Sequence, residues 1–492
     1  MPTCTSTRER KSILVFGRTA DYNTCVPVGC HRYNFGQYQF SGENLNLKPF
    51  SHPFPQKTML KRIPFALALL LLFVFTATAE VPKELDAYLA LPDDSFRWEI
   101  VEKNEASNER TYLIDLTSQT WHGIPWKHSL LVAIPNRVAH SDNALLLIGG
   151  SSIGRKPSDG DKTQIRLLAE ASGMPAALLL QVPNQPLFGN YREDALIGET
   201  LLKALETKDA TWPLLFPMTK SAIKAMDAVQ QVLKQEQQFD VKGFVVSGAS
   251  KRGWTTWLTA ASGDKRVIAI VPMVIDNLNI HKQMKYQIET WGAYSPSIHD
   301  YTERNLIRTD NTQASEFEKK LWDMIDPYTY RERLALPKLL IHGTNDPYWA
   351  VDASRFYFDD LPGVKYILTL PNAGHGLDGQ QLKAAQTAAA FAKHVARGDE
   401  LPTMKWKLAT SDTHYEIAVE SDIAMRTARL WAAQSETKDF RQARWSSTVL
   451  SKEELDAVFI FKPESGHIAF FVEIESISDG LPFSLTTQVW RF

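Results

Sequence analysis

The sequence has few cysteines and no strong excess of charge of either sign. Its three cysteines, among 492 residues, all lie near the N-terminus, at Cys4, Cys25 and Cys30. The formal net charge of -2 lacks the basic excess of nucleic-acid-binding proteins, so we expect no nucleic-acid partner. No internal repeat is evident. The hydrophobic content of 44% and the charged content of 22% are typical of a soluble globular protein with a large core.

A short apolar segment near the N-terminus predicts export. Lys61 and Arg62 precede the apolar run Phe65–Phe75, which is too short to span a bilayer comfortably. The run is followed by an Ala-x-Ala site at Ala77–Ala79. A basic start, a short apolar core and such a site are the parts of a secretory signal peptide, so we expect residues 59–79 to be one.

The position of this segment has two consequences. Because a signal peptide begins a protein, we expect translation to start at Met59 and residues 1–58 to be a mis-assigned, disordered upstream extension. The mature protein, from Glu80, would then contain no cysteine, which excludes a disulfide framework and thiol chemistry. It would be periplasmic or secreted, with no stable membrane span after cleavage. A retained N-terminal anchor is the alternative.

Continuous apolar runs alternate with amphipathic segments in the central part of the chain. Such runs predict buried parallel strands, and the amphipathic segments predict helices that cover both faces of the sheet. Alternating segments before this series predict antiparallel strands. Between the runs, Val351–Phe358 predicts a helix, and Asn184–Phe216 has no clear periodicity. The strand candidates are Asn143–Ile148, Ala176–Val182, Phe244–Ser247, Val267–Ile275, Pro337–His342 and Lys365–Leu370.

Two regions depart from this alternation. Residues 276–336 form a polar, aromatic-rich insertion, which predicts a cap that either covers a cleft or packs on its own domain. From about Met404 the pattern changes to short alternating runs separated by turn residues, which predicts an antiparallel β-sandwich. We therefore expect an α/β domain at residues 80–402, including the cap, and a β-rich domain at residues 403–492.

The segment Phe244–Gly253 (FVVSGASKRG) predicts an abrupt strand-to-helix turn with Ser250 at its tip. In an α/β-hydrolase such a turn exposes the serine oxygen above the sheet and aims a helix N-terminus at it. The usual signature is Gly-x-Ser-x-Gly. Here the position two after the serine is Arg252, and glycine follows one residue later at Gly253. An ordinary glycine-rich turn is therefore the alternative interpretation.

Two further residues follow strand candidates and complete a catalytic pattern. Asp346 lies in HGTNDPYW and His375 in PNAGHG, and the chain order Ser250, Asp346, His375 is that of α/β-hydrolase triads. The imidazole can take the serine proton, and the carboxylate fixes its tautomer. Because the carboxyl ends of parallel strands share one edge, we expect the three side chains to meet. Asp276 also ends a strand and is the alternative acid, unless it begins a helix as an N-cap.

The other parts of the site have weaker signals. The backbone N–H of Lys251, directly after the nucleophile, and that of Ser151, in the loop after the Asn143–Ile148 strand, are predicted to form an oxyanion hole. Glu193 and Asp194 follow the next strand and could hold the free amine of a peptide substrate. The alternative is that they begin a helix, where acids interact favourably with the helix dipole.

Five short strings of the sequence carry a family resemblance. They are SGASKRGWTTW around Ser250, PNQPL at Pro183–Leu187, WPLLFPMTKSA from Trp212, GTNDPYW and AGH. Together they resemble the PhoPQ-activated pathogenicity-related proteins. The resemblance extends from about Val81 to the C-terminus. It implies an exported α/β-hydrolase-like protein with a C-terminal β-rich region, and Ser250, Asp346 and His375 occupy its matching positions. It also implies that relatives share the missing glycine after the serine, and it does not specify a substrate.

The predicted function is an exported serine hydrolase that cleaves an ester or amide bond in a small molecule or peptide through an acyl-enzyme. One alternative is a dipeptidyl-peptidase-like aminopeptidase, if Glu193 and Asp194 bind an amine. Another is a carbohydrate esterase similar to glucuronoyl esterases, whose turn has a cation directly after the serine, as Lys251 is here. A third is a catalytically silent binding or signalling protein. His122 and His128 are not spaced as a zinc pair, so we expect no metal and no cofactor.

Overall fold

The computed structural model describes residues 81–106, 109–308 and 314–492. The predicted upstream extension (residues 1–58) and signal peptide (residues 59–79), together with the three cysteines, lie outside the described residues. Within the described ranges, no helix combines the length and apolar character that crossing a membrane requires.

The described residues form 17 strands and nine α-helices. The strands are β1 (Arg97–Ala106), β2 (Glu109–Trp121), β3 (Ile124–Ile134), β4 (Asn143–Ile148), β5 (Ala176–Leu179), β6 (Gly243–Ala249), β7 (Val267–Met273), β8 (Lys338–Gly343), β9 (Lys365–Leu370), β10 (Met404–Thr410), β11 (His414–Ser421), β12 (Met425–Ser435), β13 (Ser446–Leu450), β14 (Val458–Phe461), β15 (His467–Ser478), β16 (Leu481–Thr486) and β17 (Trp490–Arg491). The α-helices are α1 (Glu84–Leu89), α2 (Asp159–Ser172), α3 (Glu193–Thr207), α4 (Leu215–Gln237), α5 (Lys251–Ala261), α6 (Ile280–Trp291), α7 (His299–Thr302), α8 (Glu316–Ile325) and α9 (Gln381–Arg397). Short 3-10 helices cover Pro296–Ile298, Pro327–Arg333, Ala353–Phe356 and Glu453–Asp456.

One 14-stranded sheet contains most of these strands, in the order β1-β2-β3-β5-β4-β6-β7-β8-β9-β16-β15-β12-β13, with β17 beside β15. The six strands from β5 to β9 in this order are parallel, whereas both flanks are antiparallel. A second sheet has the order β10-β11-β14. The predicted α/β sheet with a parallel centre and an antiparallel N-terminal edge is confirmed.

Alternate side chains of the central strands enter two cores on opposite faces of the sheet. Leu146 and Phe244 belong to the core that α4 and α5 cover, whereas Leu145 and Val245 belong to the core that α2 and α9 cover. Successive side chains of a strand point to opposite faces, so strands covered on both faces must be apolar throughout. This double burial holds the carboxyl ends of β6, β8 and β9 at one edge of the sheet.

The C-terminal region is β-rich, as predicted, but the predicted boundary at residue 403 does not separate two sheets. β16 pairs with β9, where Thr486 lies opposite Ile367 and the backbone N–H of Thr369 donates to Thr486 Oγ1 over 3.0 Å. The smaller sheet packs on this extension through a shared core that includes Ile417 and Phe470. The C-terminal strands therefore continue the central sheet, and all described residues belong to one unit.

Two helices differ from their predictions. α3 lies in the segment 184–216 that has no clear periodicity as a whole, and it buries Leu196, Ile197 and Leu201 on one face. Conversely, the helix predicted at 351–358 is only a four-residue 3-10 helix. There, buried Asp352 accepts a hydrogen bond from the Tyr286 hydroxyl over 2.6 Å, so contacts with α6 replace regular helix geometry.

The insertion at 276–336 folds as α6, α7, α8 and two 3-10 helices. Three of its aromatic side chains, Tyr301, Trp322 and Tyr330, are buried. Tyr330 donates its hydroxyl proton to the carbonyl of Met324 within the same insertion. These three rings therefore pack inside the protein, which is the second of the two arrangements that the sequence predicts for this cap.

Candidate active site

Ser250 occupies the sharp turn between β6 and α5. Its backbone has φ 58° and ψ −127°, a strained conformation for a residue with a side chain, and its N–H donates to Met273 O over 2.8 Å. Two glycines permit the turn, because a Cβ atom on Gly248 would lie 2.6 Å from the carbonyl oxygen of Arg252, and one on Gly253 would lie 3.0 Å from that of Met273. Gly253 thus provides the close strand–helix approach, and the position two after the serine is free to carry a long side chain.

The structure brings Ser250, His375 and Asp346 together at the carboxyl edge of the sheet. His375 Nε2 lies 2.9 Å from Ser250 Oγ, and His375 Nδ1 lies 2.8 Å from Asp346 Oδ2. Asp346 is buried, whereas the His375 side chain is 26% exposed and Ser250 is half-buried. With the imidazole proton on Nδ1, Nε2 is the acceptor for the serine hydroxyl proton. The arrangement forms a continuous hydrogen-bonded chain from carboxylate to hydroxyl.

Tyr348 supports this chain and has no counterpart in the sequence predictions. Its backbone N–H donates to Asp346 Oδ1 over 2.9 Å, and its ring centroid lies 4.3 Å from that of His375. The loops that carry the acid and the base also approach closely, since a Cβ atom on Gly343 would lie 2.3 Å from the carbonyl oxygen of Ala373. The only sequence signal for Tyr348 is its place in the string GTNDPYW.

Asp276, the alternative acid, has a different partner. Its carboxylate accepts a hydrogen bond from the Tyr357 hydroxyl over 2.5 Å, and burial raises its pKa above the usual range of an aspartate. It does not cap a helix either. α6 begins at Ile280, and the buried carboxylate of Asp326 accepts the N–H groups of Asn279 and Ile280 over 3.1 and 2.8 Å. Neither role predicted for Asp276 corresponds to its contacts.

The two predicted oxyanion donors lie on neighbouring loops. Lys251 is the first residue of α5, and Ser151 lies in the loop after β4, the strand that pairs directly with β6. The Ser151 hydroxyl accepts a hydrogen bond from the N–H of Gln181 over 3.2 Å. The N–H of Lys251 donates no hydrogen bond within the described part of the chain, as expected at a helix N-terminus.

Glu193 and Asp194 begin α3 and bind two cations of the protein itself. The ammonium of Lys251 lies 3.0 Å from Glu193 Oε2 and 3.1 Å from Asp194 Oδ2. Arg252 donates two hydrogen bonds of 2.7 Å to the same Glu193 carboxylate. Burial raises the pKa of Glu193, but the hydrogen bonds and charges of Arg252, the charge of Lys251 and a hydrogen bond from Gln185 outweigh it and lower that pKa to about 2. Glu193 is therefore an anion throughout the physiological range.

The two histidines considered as a zinc pair have separate partners. His128 is fully buried, lies 2.9 Å from both Leu180 O and Ser118 Oγ, and has its pKa lowered to about 4 by that burial. The ring of His122 stacks on Trp212 with centroids 3.8 Å apart. Across residues 81–106, 109–308 and 314–492, no three His, Cys, Asp or Glu side chains form a metal-binding group.

The central parallel strands, the helices on both faces and the strand-to-helix turn at Ser250 define an α/β-hydrolase fold, as predicted. The chain belongs to the PhoPQ-activated pathogenicity-related protein family, whose model matches residues 85–441. One relative is autocrine proliferation repressor protein A of Dictyostelium discoideum. It is 30% identical over 465 residues, which cover 86% of this chain and 92% of that protein.

Solved structures with a similar fold include several esterases. Acetyl xylan esterase 1 from Thermoanaerobacterium sp. is 15% identical with a TM-score of 0.45, over 63% of this chain and 94% of that one. Glucuronoyl esterase from Solibacter usitatus is 15% identical with a TM-score of 0.36, over 64% and 93% of the two chains. Similarity at this level does not identify the substrate of this chain.

Proposed function

We propose that this protein is an exported serine hydrolase that cleaves an ester through an acyl-enzyme, with Ser250, His375 and Asp346 as its catalytic residues. The observation that carries the proposal is the unbroken pair of contacts Ser250 Oγ–His375 Nε2 (2.9 Å) and His375 Nδ1–Asp346 Oδ2 (2.8 Å). Both distances are those of hydrogen bonds through which a base takes the proton of a nucleophile.

The geometry supports a two-step reaction. Ser250 Oγ attacks the carbonyl carbon while its proton passes to His375 Nε2, and the N–H groups of Lys251 and Ser151 bind the resulting oxyanion. The tetrahedral species collapses, the imidazolium gives its proton to the leaving oxygen, and the acyl group stays on the serine. Water, deprotonated by His375, then attacks the acyl carbon. The bond from that carbon to Ser250 Oγ breaks, the imidazolium returns its proton to Oγ, and the acid is released. Asp346 stays ionised and stabilises the imidazolium in both steps.

The charges beside the nucleophile favour an ester over a free-amine peptide. Glu193 and Asp194 supply two negative charges, and Lys251 and Arg252 supply two positive charges within ion-pair distance of them. A substrate ammonium would have to displace the buried Lys251 ammonium. An aminopeptidase needs unpaired acids to bind the substrate amine, and Glu193 and Asp194 are both paired already.

A signalling role without hydrolysis is the second candidate. It is favoured by the name of the Dictyostelium relative, an autocrine proliferation repressor that is 30% identical to this chain. The two candidates differ in one measurable property, which is the reactivity of Ser250.

Fluorophosphonate labelling of the full chain tests the catalytic proposal. We expect the wild type to be labelled on Ser250 and to hydrolyse at least one member of a panel of p-nitrophenyl acyl esters. Ser250→Ala should lose both properties. Ser262→Ala, at the opposite end of α5, should retain both and serves as the matched control. A wild type that is neither labelled nor active would leave the signalling candidate as the better one.

Export rests on the signal-peptide pattern of residues 59–79. Mass spectrometry of the protein purified from its natural source should find an N-terminus at Glu80. A tryptic peptide from before Met59 would contradict the predicted start and the export signal together.

A further inference from the structure

Arg252 occupies the position where the usual hydrolase signature has glycine, and its side chain is buried rather than solvated. Its Nε donates to Val182 O over 2.6 Å, and its two terminal nitrogens donate to the two oxygens of Glu193. Both partners, Val182 and Glu193, lie in the stretch that follows β5. The guanidinium therefore joins the nucleophile turn to a second segment of the catalytic edge.

The same guanidinium lies against the loop that carries the proposed oxyanion donor Ser151. A Cβ atom on Gly150 would lie 1.8 Å from a terminal nitrogen of Arg252, so that loop's backbone rests directly on the guanidinium plane. A second connection runs through Val182, whose N–H donates to Gly149 O over 3.1 Å while its carbonyl accepts from Arg252. Arg252 thus contacts the loop directly at one residue and indirectly at the residue before it.

Glu193 fixes the plane of the guanidinium. Its carboxylate accepts one hydrogen bond from each terminal nitrogen of Arg252. Gln185 holds Glu193 in place, because its amide donates to Glu193 Oε1 and its own Oε1 accepts the Glu193 N–H over 2.8 Å. A bidentate arginine–carboxylate pair adds geometric specificity that a lysine ammonium cannot reproduce.

We propose that Arg252, oriented by Glu193, is the positioning residue of the oxyanion hole in this chain. It sets the distance between the Ser151 N–H and the Lys251 N–H without touching the substrate itself. The inference rests on the proposed function. It also accounts for the absence of glycine two residues after Ser250, because a glycine there would leave the loop of Gly149–Ser152 without this support.

Steady-state kinetics with the ester identified for the wild type tests this role. Arg252→Lys keeps the positive charge but cannot make the paired hydrogen bonds to Glu193. We expect kcat to fall about 100-fold, the lower end of the effect of losing one oxyanion donor, and KM to change less than about threefold. Inhibition by an arylboronic acid, which forms a tetrahedral adduct on serine, should weaken in parallel with kcat/KM. The matched control is Arg266→Lys, because Arg266 makes a similar fork to Asp264 at the opposite end of β7 and should leave kcat unchanged.

A second variant keeps the test decisive should Arg252→Lys not fold. Gly150→Ala places a methyl group on the guanidinium and should lower kcat by at least about tenfold. Gly160→Ala, in the first turn of α2, should not, because a Cβ atom there would meet only Ser158 Oγ, at an ordinary contact distance of 3.7 Å. Wild-type labelling is measured first. Absence of labelling defeats the proposed function, whereas normal labelling with unchanged kcat in the Gly150 variant defeats this inference alone.

Discussion

Asp346 and Asp276 follow neighbouring strands of one sheet, β8 and β7, and each is 6% exposed. Both line the same small cavity of ≈20 Å³. Their hydrogen-bond partners differ. Asp346 accepts hydrogen bonds from the imidazole of His375 and from the backbone N–H of Tyr348. Asp276 accepts a hydrogen bond from the Tyr357 hydroxyl. Burial raises the pKa of Asp276, which favours its protonated form.

The position of a carboxyl at this edge of the sheet does not by itself determine its role. Position after a parallel strand brings both carboxyls to the site, but only the one bound to an imidazole can stabilise an imidazolium. The hydrogen-bond partners of each carboxyl therefore decide which role it can take. Here Asp346 is hydrogen-bonded to an imidazole, whereas Asp276 is hydrogen-bonded to a phenol.

Replacement of each aspartate by asparagine should give the largest difference between the two residues. Asp346→Asn should lower kcat by about 10³- to 10⁴-fold, because an asparagine amide favours the wrong imidazole tautomer. The asparagine of Asp276→Asn can still accept the hydrogen bond from the Tyr357 hydroxyl, so kcat of this variant should stay within about fivefold of the wild-type value. Turnover of an ester by both variants is the measurement. Loss of turnover confined to the Asp276 variant would transfer the role of the acid to that residue.

The raised pKa of Asp276 should also have a smaller effect, on the stability of the fold. Because the pKa of Asp276 is raised in the folded state, this carboxyl stays protonated to a higher pH in the folded protein than in the unfolded chain, where its pKa is the ordinary 3.8. The contribution of this aspartate to the free energy of unfolding therefore falls as the pH rises from 3.8 through the folded pKa. Each pH unit between the two pKa values is worth about 1.4 kcal/mol.

Asp276→Asn removes this dependence, so its urea midpoint relative to wild type should rise between pH 4 and pH 8. Asp264→Asn is the control, because the pKa of Asp264 is shifted in the opposite direction to that of Asp276. Burial acts to raise the pKa of Asp264, but its contacts with Arg266 outweigh this and lower that pKa. Its stabilising effect is therefore fully present above the unfolded pKa, and the deficit of the variant should stay constant from about pH 5 upward. A constant difference for the Asp276 variant over the whole range would contradict its raised pKa.

The sequence was most informative where burial is complete. β4 and β9 match their predictions residue for residue, because a central parallel strand must be apolar on both faces. The places of Ser250, Asp346 and His375 follow from the same logic, since each lies just after such a strand. Their catalytic roles remain a proposal. α3 had a usable signal in the spacing of Leu196, Ile197 and Leu201, which the irregular residues before it obscured.

Contacts between distant segments could not be read in this way. Glu193 and Arg252 are 59 residues apart, and neither local pattern indicates that one binds the other. The alternating C-terminal runs predict which faces are buried, but not which strand each one joins. The junction of β16 with β9, like the 3-10 geometry beside Asp352, depends on contacts between remote parts of the chain.

That junction affects how the protein is made. β9 is an apolar strand with one edge that stays uncovered until β16 is synthesised, more than 100 residues later. At ribosomal rates this takes roughly 5 to 20 s, during which the uncovered edge can recruit strands from other nascent chains. β16 therefore covers the edge of β9, and we expect a chain truncated before residue 481 to leave that edge open to pairing with other strands.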